Sequence, residues 1–205
     1  MLRKILLAGF VITYCLVGAA PVGVAQDKAG EGATQEWKRY ELGVGAFSVL
    51  LPGKPADAPP SLALAKEGGE SYAYLVITDE AMFVTSRALL PEAAQRWAAG
   101  ADEPYYDGFW EGVAQGLDKQ TEAFNVVSKT KLLQKGKASL SGREAHEFDF
   151  TLGTAQGRLV VTRVGRHSFS ALMLRQETPP AAEFEKFFSS FTINQSWLNE
   201  HKSPQ

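Results

Sequence analysis

Leu159-Val160-Val161-Thr162-Arg163-Val164-Gly165-Arg166-His167-Ser168-Phe169-Ser170-Ala171-Leu172-Met173-Leu174 decides the fold. Two runs rich in β-branched and large apolar residues flank a Gly-Arg pair. A two-residue connection with glycine first marks an antiparallel hairpin. Upstream, Tyr72, Tyr74, Val76 and Thr78 share one side of a run whose other side is Ala73, Leu75 and Ile77. Such a run, mostly apolar on both faces, suits a central strand covered on each side, and residues 81–90 repeat the pattern. Nearer the start, Trp37 to Leu42 alternates, Gly43-Val44-Gly45 turns the chain, and Phe47 to Leu51 ends at Pro52-Gly53. Leu62 and Leu64 start a short edge strand. Asn125 to Leu133 is a further strand with Gly136 as its turn, and Leu140 and Gly142 lead into Ala145 to Phe150.

Helical periodicity occupies two regions. Pro91-Glu92-Ala93-Ala94 opens a helix with proline in its first turn and an acid near the positive end of the dipole, and Gly100 caps it. A second helix covers 105–119, where Tyr106, Phe109, Trp110, Val113 and Leu117 recur at helical spacing. Gly108, Gly112 and Gly116 fall every fourth residue there, a smooth stripe that would allow close approach to a neighbouring element. The last helix covers 181–191. Phe184, Phe187, Phe188 and Phe191 lie at i, i+3, i+4 and i+7, a face expected to dock on the sheet. Together these elements predict an α+β domain: an antiparallel sheet of about seven strands with helices on both faces.

The first 25 residues have a separate character. Arg3 and Lys4 precede Ile5 to Ala20, 16 residues without a charge, and Pro21-Val22-Gly23-Val24-Ala25 follows. A basic start, an apolar middle and small residues before the cut make a cleavable export signal, with the cut between Ala25 and Gln26. The apolar run falls short of the roughly 20 residues a membrane span needs. Tyr14 stands before Cys15, where a lipoprotein signal requires a small residue. The expected organisation is a signal peptide at 1–25, a flexible leader at 26–35, one domain at 36–194 and a C-terminal tail at 195–205. The protein is then exported, periplasmic or extracellular, without a membrane span after cleavage.

Cys15 is the only cysteine of the 205-residue chain, so the mature form has no disulfide, thiol nucleophile or sulfur ligand. Arg3 and Lys4 leave with the signal, and 19 basic residues then face 23 acidic ones. Basic and acidic residues are interspersed. Nucleic acid binding needs a basic stripe that releases counterions, and anionic lipid needs a basic cluster; neither is present in the sequence.

Several of these segments resemble the PsbP-like domain family. Phe47-Ser48-Val49 with Leu51-Pro52-Gly53-Lys54-Pro55 is similar to the family's opening hairpin. Leu140-x-Gly142-Arg143-Glu144 resembles its step into a mid-domain strand. The hairpin 157–174 and the closing Phe184-x-x-Phe187-Phe188-x-x-Phe191 resemble its ending. The resemblance spans roughly Trp37 to Thr192 and implies an α/β/α sandwich around an antiparallel sheet. The family includes an extrinsic subunit of photosystem II, a small Ran-binding import factor and bacterial exported domains of unknown role. It implies action by protein binding, with no ligand-site residue to carry over.

Residues able to carry chemistry are few. His146 and His167 sit on different strands and His201 in the tail. In Glu144-x-His146-Glu147-x-Asp149, alternation puts Glu144 and His146 on one face and Glu147 and Asp149 on the other. That spacing does not supply a metal cluster, and both histidines read as strand residues at a sheet edge. Ser139-Leu140-Ser141-Gly142 does not fit a nucleophile elbow, and Leu42-Gly43-Val44-Gly45 opens a strand where a phosphate site needs a helix. Asp79-Glu80 and Asp102-Glu103 read as solvated turn residues, and Asn194-Gln195-Ser196 as a formal glycosylation sequon. No catalytic residue, metal ligand or cofactor is assigned. One cluster stands out: Tyr105, Tyr106, Phe109 and Trp110, with Trp97 nearby, crowd aromatics around an acidic turn. They form either an interaction patch or a layer packed on the sheet. The function expected is a non-enzymatic binding or accessory protein acting through protein contact. The alternatives are a small-molecule or lipid carrier, favoured by an apolar cavity lined by Tyr105, Phe109 and Trp110, and an enzyme, favoured by His146 and His167 meeting acids in a pocket.

Overall fold

A computed structural model describes residues 36–58, 70–90, 102–123, 128–176 and 181–201. In chain order the elements are β1 (Lys38–Leu42), β2 (Phe47–Leu51), β3 (Ala56–Asp57), β4 (Ser71–Ile77), β5 (Ala81–Leu89), α1 (Asp102–Ala123), β6 (Thr130–Leu140), β7 (Arg143–Leu152), β8 (Ala155–Val164), β9 (His167–Arg175), α2 (Ala181–Ser190), β10 (Thr192–Ile193) and α3 (Gln195–Glu200). The helix expected from Pro91, the strand at Leu62 and Leu64, and the signal and leader lie outside the described residues.

The 159–174 hairpin forms as expected, with Gly165 at φ 60° and Val164 opposite His167. It supplies two adjacent inner strands of a seven-stranded sheet in the order β3-β4-β5-β9-β8-β7-β6, every pairing antiparallel. β5 and β9 lie side by side near its middle. Each is buried along nearly its whole length, which is why both faces of their sequences are apolar or small apart from Arg87, His167 and Arg175. A second sheet, β1-β2-β10, is small, and its third strand comes from far along the chain: Ile193 pairs with Phe47.

The large sheet separates two cores. On one face α1 packs Tyr105, Tyr106, Trp110, Val113 and Leu117 against Phe148, Phe150, Leu159 and Leu172. The other face is covered by the small sheet with α2 and α3, through Phe47, Val49, Phe187, Phe191, Trp197 and Leu198 on Phe83, Phe169 and Met173. The phenylalanine stripe of α2 docks as its period requires. The Phe187 ring meets Phe83 edge-on at 5.2 Å, and Phe191, one residue past the helix, stacks on Phe47 at 4.9 Å. The domain is therefore α+β with helices on both faces, and one of its layers also contains a sheet.

Three local expectations are corrected. Gly136 is not a turn. It lies inside β6 opposite Glu147, and the reversal falls instead at Ser141-Gly142, where φ values of 56° and 71° suit a primed two-residue hairpin turn. The α1 glycines allow no close approach at Gly108 or Gly112, where a methyl group would meet open space. Residues 195–200 are not a tail. Asn194 Oδ1 accepts from the backbone N–H groups of Ser196 and Trp197, capping α3, and Trp197 and Leu198 enter the core. The Asn194 side-chain amide also donates to the Gly45 carbonyl at 3.0 Å, so the sequon asparagine is committed to the fold.

Candidate functional site

The aromatic cluster of α1 is core. Tyr105, Tyr106 and Trp110 are buried and Phe109 is half-buried against the same layer. Trp110 stacks on Phe148 at 5.5 Å, and the Tyr105 hydroxyl donates to Ser168 Oγ at 2.6 Å. Burial pushes the Tyr105 phenol pKa upward. The interaction-patch reading of Tyr105, Tyr106, Phe109 and Trp110 is thus corrected. Helical spacing that faces apolar strands fills a core before it makes a surface. Trp97, Ala25 and Gln26 lie outside the described residues.

Neither described strand histidine is at a sheet edge, and the two sit on opposite faces. His146, on β7, stacks flat on the Tyr106 ring at 3.9 Å, on the α1 side. His167, at the start of β9, meets Trp197 at 5.0 Å on the other side. Their separation removes a shared histidine site. Among the described residues, no group of three or more His, Cys, Asp or Glu side chains could hold a metal ion.

What the structure does build is a polar groove of about 600 Å³ where the N-terminal turns of α1 meet the β6–β7 hairpin. Glu103 and Tyr106 come from α1, Lys137 from β6, Gly142 from the turn, Arg143, Glu144 and His146 from β7, and Arg163 from β8. Register explains the convergence: Lys137 lies opposite His146, and Arg143 begins the strand directly after the turn. His146 is 5% exposed and its Nδ1 has no hydrogen-bond partner, the nearest carboxylate oxygen being Glu103 Oε1 at 3.8 Å. A buried ring nitrogen left in that state costs about 1–3 kcal/mol. The acids of the groove are already engaged. Lys135 bonds Glu103 and holds its carboxyl below the usual range, and Lys137, 2.8 Å from Glu144 Oε1, does the same there. Arg143 has one neutral contact, Nη2 donating to Gln195 Oε1 at 2.7 Å, and meets no carboxylate among the described residues. Arg163 stacks its guanidinium 5.4 Å from the Tyr105 ring centre. The groove therefore gathers cationic side chains around a buried imidazole.

Alternation along β7 already placed Glu144 beside His146. Lys137, Arg143 and Arg163 join them only through strand register and the turn position, which no local pattern announces. Glu103 also belongs to the first turn of α1 rather than to a solvated loop.

On the far face, Arg87 is 1% exposed, and its guanidinium lies between the Tyr72 ring at 4.9 Å and the Trp197 ring at 4.6 Å. Its Nη2 sits 2.8 Å from Glu70 Oε2, and the Tyr72 hydroxyl donates to Glu70 Oε1 at 2.5 Å. His201 stacks on Trp197 at 4.0 Å, and the His167 ring donates from Nε2 to the His201 carbonyl at 3.2 Å. This stack holds α3 to the sheet.

The sequence matches no family model and none of the curated proteins. Solved structures do match. The solution structure of cyanobacterial PsbP (CyanoP) from Synechocystis sp. PCC 6803 aligns with a TM-score of 0.53, at 12% identity, over 87% of this chain and 99% of that one. The fold is PsbP-like. Structures of a protein of unknown function from Pseudomonas aeruginosa (13% identity, 83% of this chain and 98% of that one, TM-score 0.35) and of a Bacteroides thetaiotaomicron protein (14%, 82% and 51%, TM-score 0.33) are more distant. At these identities the likeness carries the PsbP-like fold and no residue of a site, so the groove of this PsbP-like chain is judged on its own geometry.

Proposed function

We propose that this PsbP-like chain is an exported accessory protein that works by binding a protein partner through the polar groove, and not by catalysis. The observation that carries the reading is His146, a buried ring that lines the groove together with Lys137, Arg143 and Arg163 and whose Nδ1 has no hydrogen-bond partner, Glu103 Oε1 lying 3.8 Å away. A group of that kind fits a site completed by something that arrives from outside. Export rests on the segment 1–25, and no described helix is long and apolar enough to cross a membrane. The carrier alternative loses its lining, because Trp110 is packed on Phe148 and Phe150 and Tyr105 is tied to Ser168. The enzyme alternative loses its paired histidines to opposite faces of the sheet.

The test is capture from envelope extract with the processed protein as bait, alongside Arg143→Glu in the groove and Val44→Glu, an exposed position on β1–β2. A partner held by the parent and by Val44→Glu, and lost by Arg143→Glu at unchanged melting temperature, is the expected result. A partner profile indifferent to Arg143→Glu would overturn the assignment.

A further inference from the structure

We propose that the ligand of the groove is a short acidic peptide segment, one carboxylate of which is taken by the Arg143 guanidinium and the His146 imidazole. This rests on the binding reading above and names its chemistry. Arg143 has five N–H donors, and among the described residues one of them is occupied, by a neutral amide oxygen. A planar guanidinium with free donors matches a carboxylate in two-point contact. The Ser141-Gly142 turn and the first β7 pairing, Leu140 with Arg143, fix where Arg143 leaves the backbone, so its stem is positioned before a ligand arrives. His146 lines the same groove, is held by its stack on Tyr106, and keeps a buried Nδ1 without a hydrogen-bond partner, 3.8 Å from Glu103 Oε1. The groove's carboxylates are matched by Lys135 and Lys137, so the approach of another anion is not opposed by bare acids.

The mixed rim selects a peptide over a phosphate. A phosphate would use the cations alone, whereas Glu103 and Glu144 in the same groove can also accept hydrogen bonds from N–H donors, which phosphate does not supply and a peptide backbone does. A peptide brings one negative charge per acidic side chain, together with backbone N–H groups that Glu144 can accept and carbonyls to which Lys137 can donate. About 600 Å³ lies inside the range of small-ligand sites, roughly 300–1,000 Å³, and admits a few residues rather than a folded surface.

The experiment is an amide-resolved NMR titration of the processed protein with acetyl-Glu-Glu-Glu-amide, acetyl-Gln-Gln-Gln-amide and inorganic phosphate, each followed to saturation or to 10 mM, on the order of the weakest binding worth measuring. The proposal expects saturable shifts centred on residues 103, 137 and 142–146 with the glutamate peptide only. It also expects at least about tenfold weaker binding in Arg143→Gln, an exposed-end truncation that leaves the strand register intact, and partial recovery in Arg143→Lys. His146→Gln, checked for a parent-like amide spectrum, should weaken binding as well. No saturable shift at the groove, equal binding of the glutamine peptide, or tighter binding of phosphate overturns the proposal. If the peptide fails while capture of a partner still depends on Arg143, the ligand chemistry is wrong and the binding role stands.

Discussion

Replacing Trp197 by alanine should destabilise the whole domain, although the residue lies only eight positions before Gln205. Trp197 is 6% exposed; it covers Arg87, stacks on His201 and joins the core beside Phe169 and Phe191. A buried tryptophan removes roughly 150–250 Å² from water, which at about 25 cal/mol per Å² sets an upper bound of about 4–6 kcal/mol. Truncations of this kind cost about 3–5 kcal/mol in measured cores. Loss of the ring also uncovers a buried guanidinium, a contact worth up to about 2 kcal/mol when desolvated, part of which water returns by entering the gap. The expected loss is about 4 kcal/mol, or roughly 8–16 °C in melting temperature for a domain of this size. The assay is urea unfolding followed by far-ultraviolet circular dichroism and tryptophan emission, with Glu200→Ala, an exposed change in the same helix, as control. The control should lie within about 0.5 kcal/mol of the parent. A Trp197→Ala loss below about 1 kcal/mol would refute the docking of α3 and return residues 195–200 to a frayed tail.

Three further outcomes follow from the packing. Gly157→Ala should cost about 1–3 kcal/mol by overpacking, because its Cβ would lie 2.4 Å from Phe150 Cζ, and Phe150→Leu in the same chain should restore part of the loss in a melting experiment. Tyr105→Phe should cost about 1 kcal/mol by leaving Ser168 Oγ without the phenol donor, with no change in the fold by NMR. Burial pushes the His167 pKa below the ordinary imidazole value, and the neighbouring Arg87 charge adds to this. The ring is neutral in the native state, so as pH falls below about 6.5 the unfolded chain takes up the proton first. Melting temperature should therefore be flat above neutrality and fall from pH 6.5 to 5, with a shallower fall in His167→Gln. An identical slope in the two proteins would remove His167 from the acid response.

Much of the fold was legible because its signals are local. The Gly165-Arg166 turn fixes a hairpin within 16 residues, and the two-faced apolar run of Ala81–Leu89 announces a strand with neighbours and cover on both sides. The Phe184 to Phe191 stripe has one period and one face. The small sheet was hidden because β10 is two residues long and its partner lies about 145 positions earlier. Six residues of α3 are too short to show a period, and its capping asparagine looked like a sequon. Gly136 misled because glycine usually marks a turn, whereas here it makes room inside a strand beside the Glu147 side chain. The site was half legible: alternation paired Glu144 with His146, but the cations reach them across three strands. The α1 aromatics were ambiguous in principle, since helical spacing records that a face is apolar and not what covers it.

Site-specific photo-cross-linking in living cells tests the central claim most directly. A photoreactive residue at position 137, on the rim of the groove, is compared with one at position 44, on the exposed β1–β2 turn of the small sheet, where Val44 is 70% exposed. A discrete partner band from 137, absent from 44 and lost when Arg143→Glu is added, is predicted. The same bands from both positions, or none from 137 while 44 cross-links, would contradict a protein that binds through its groove.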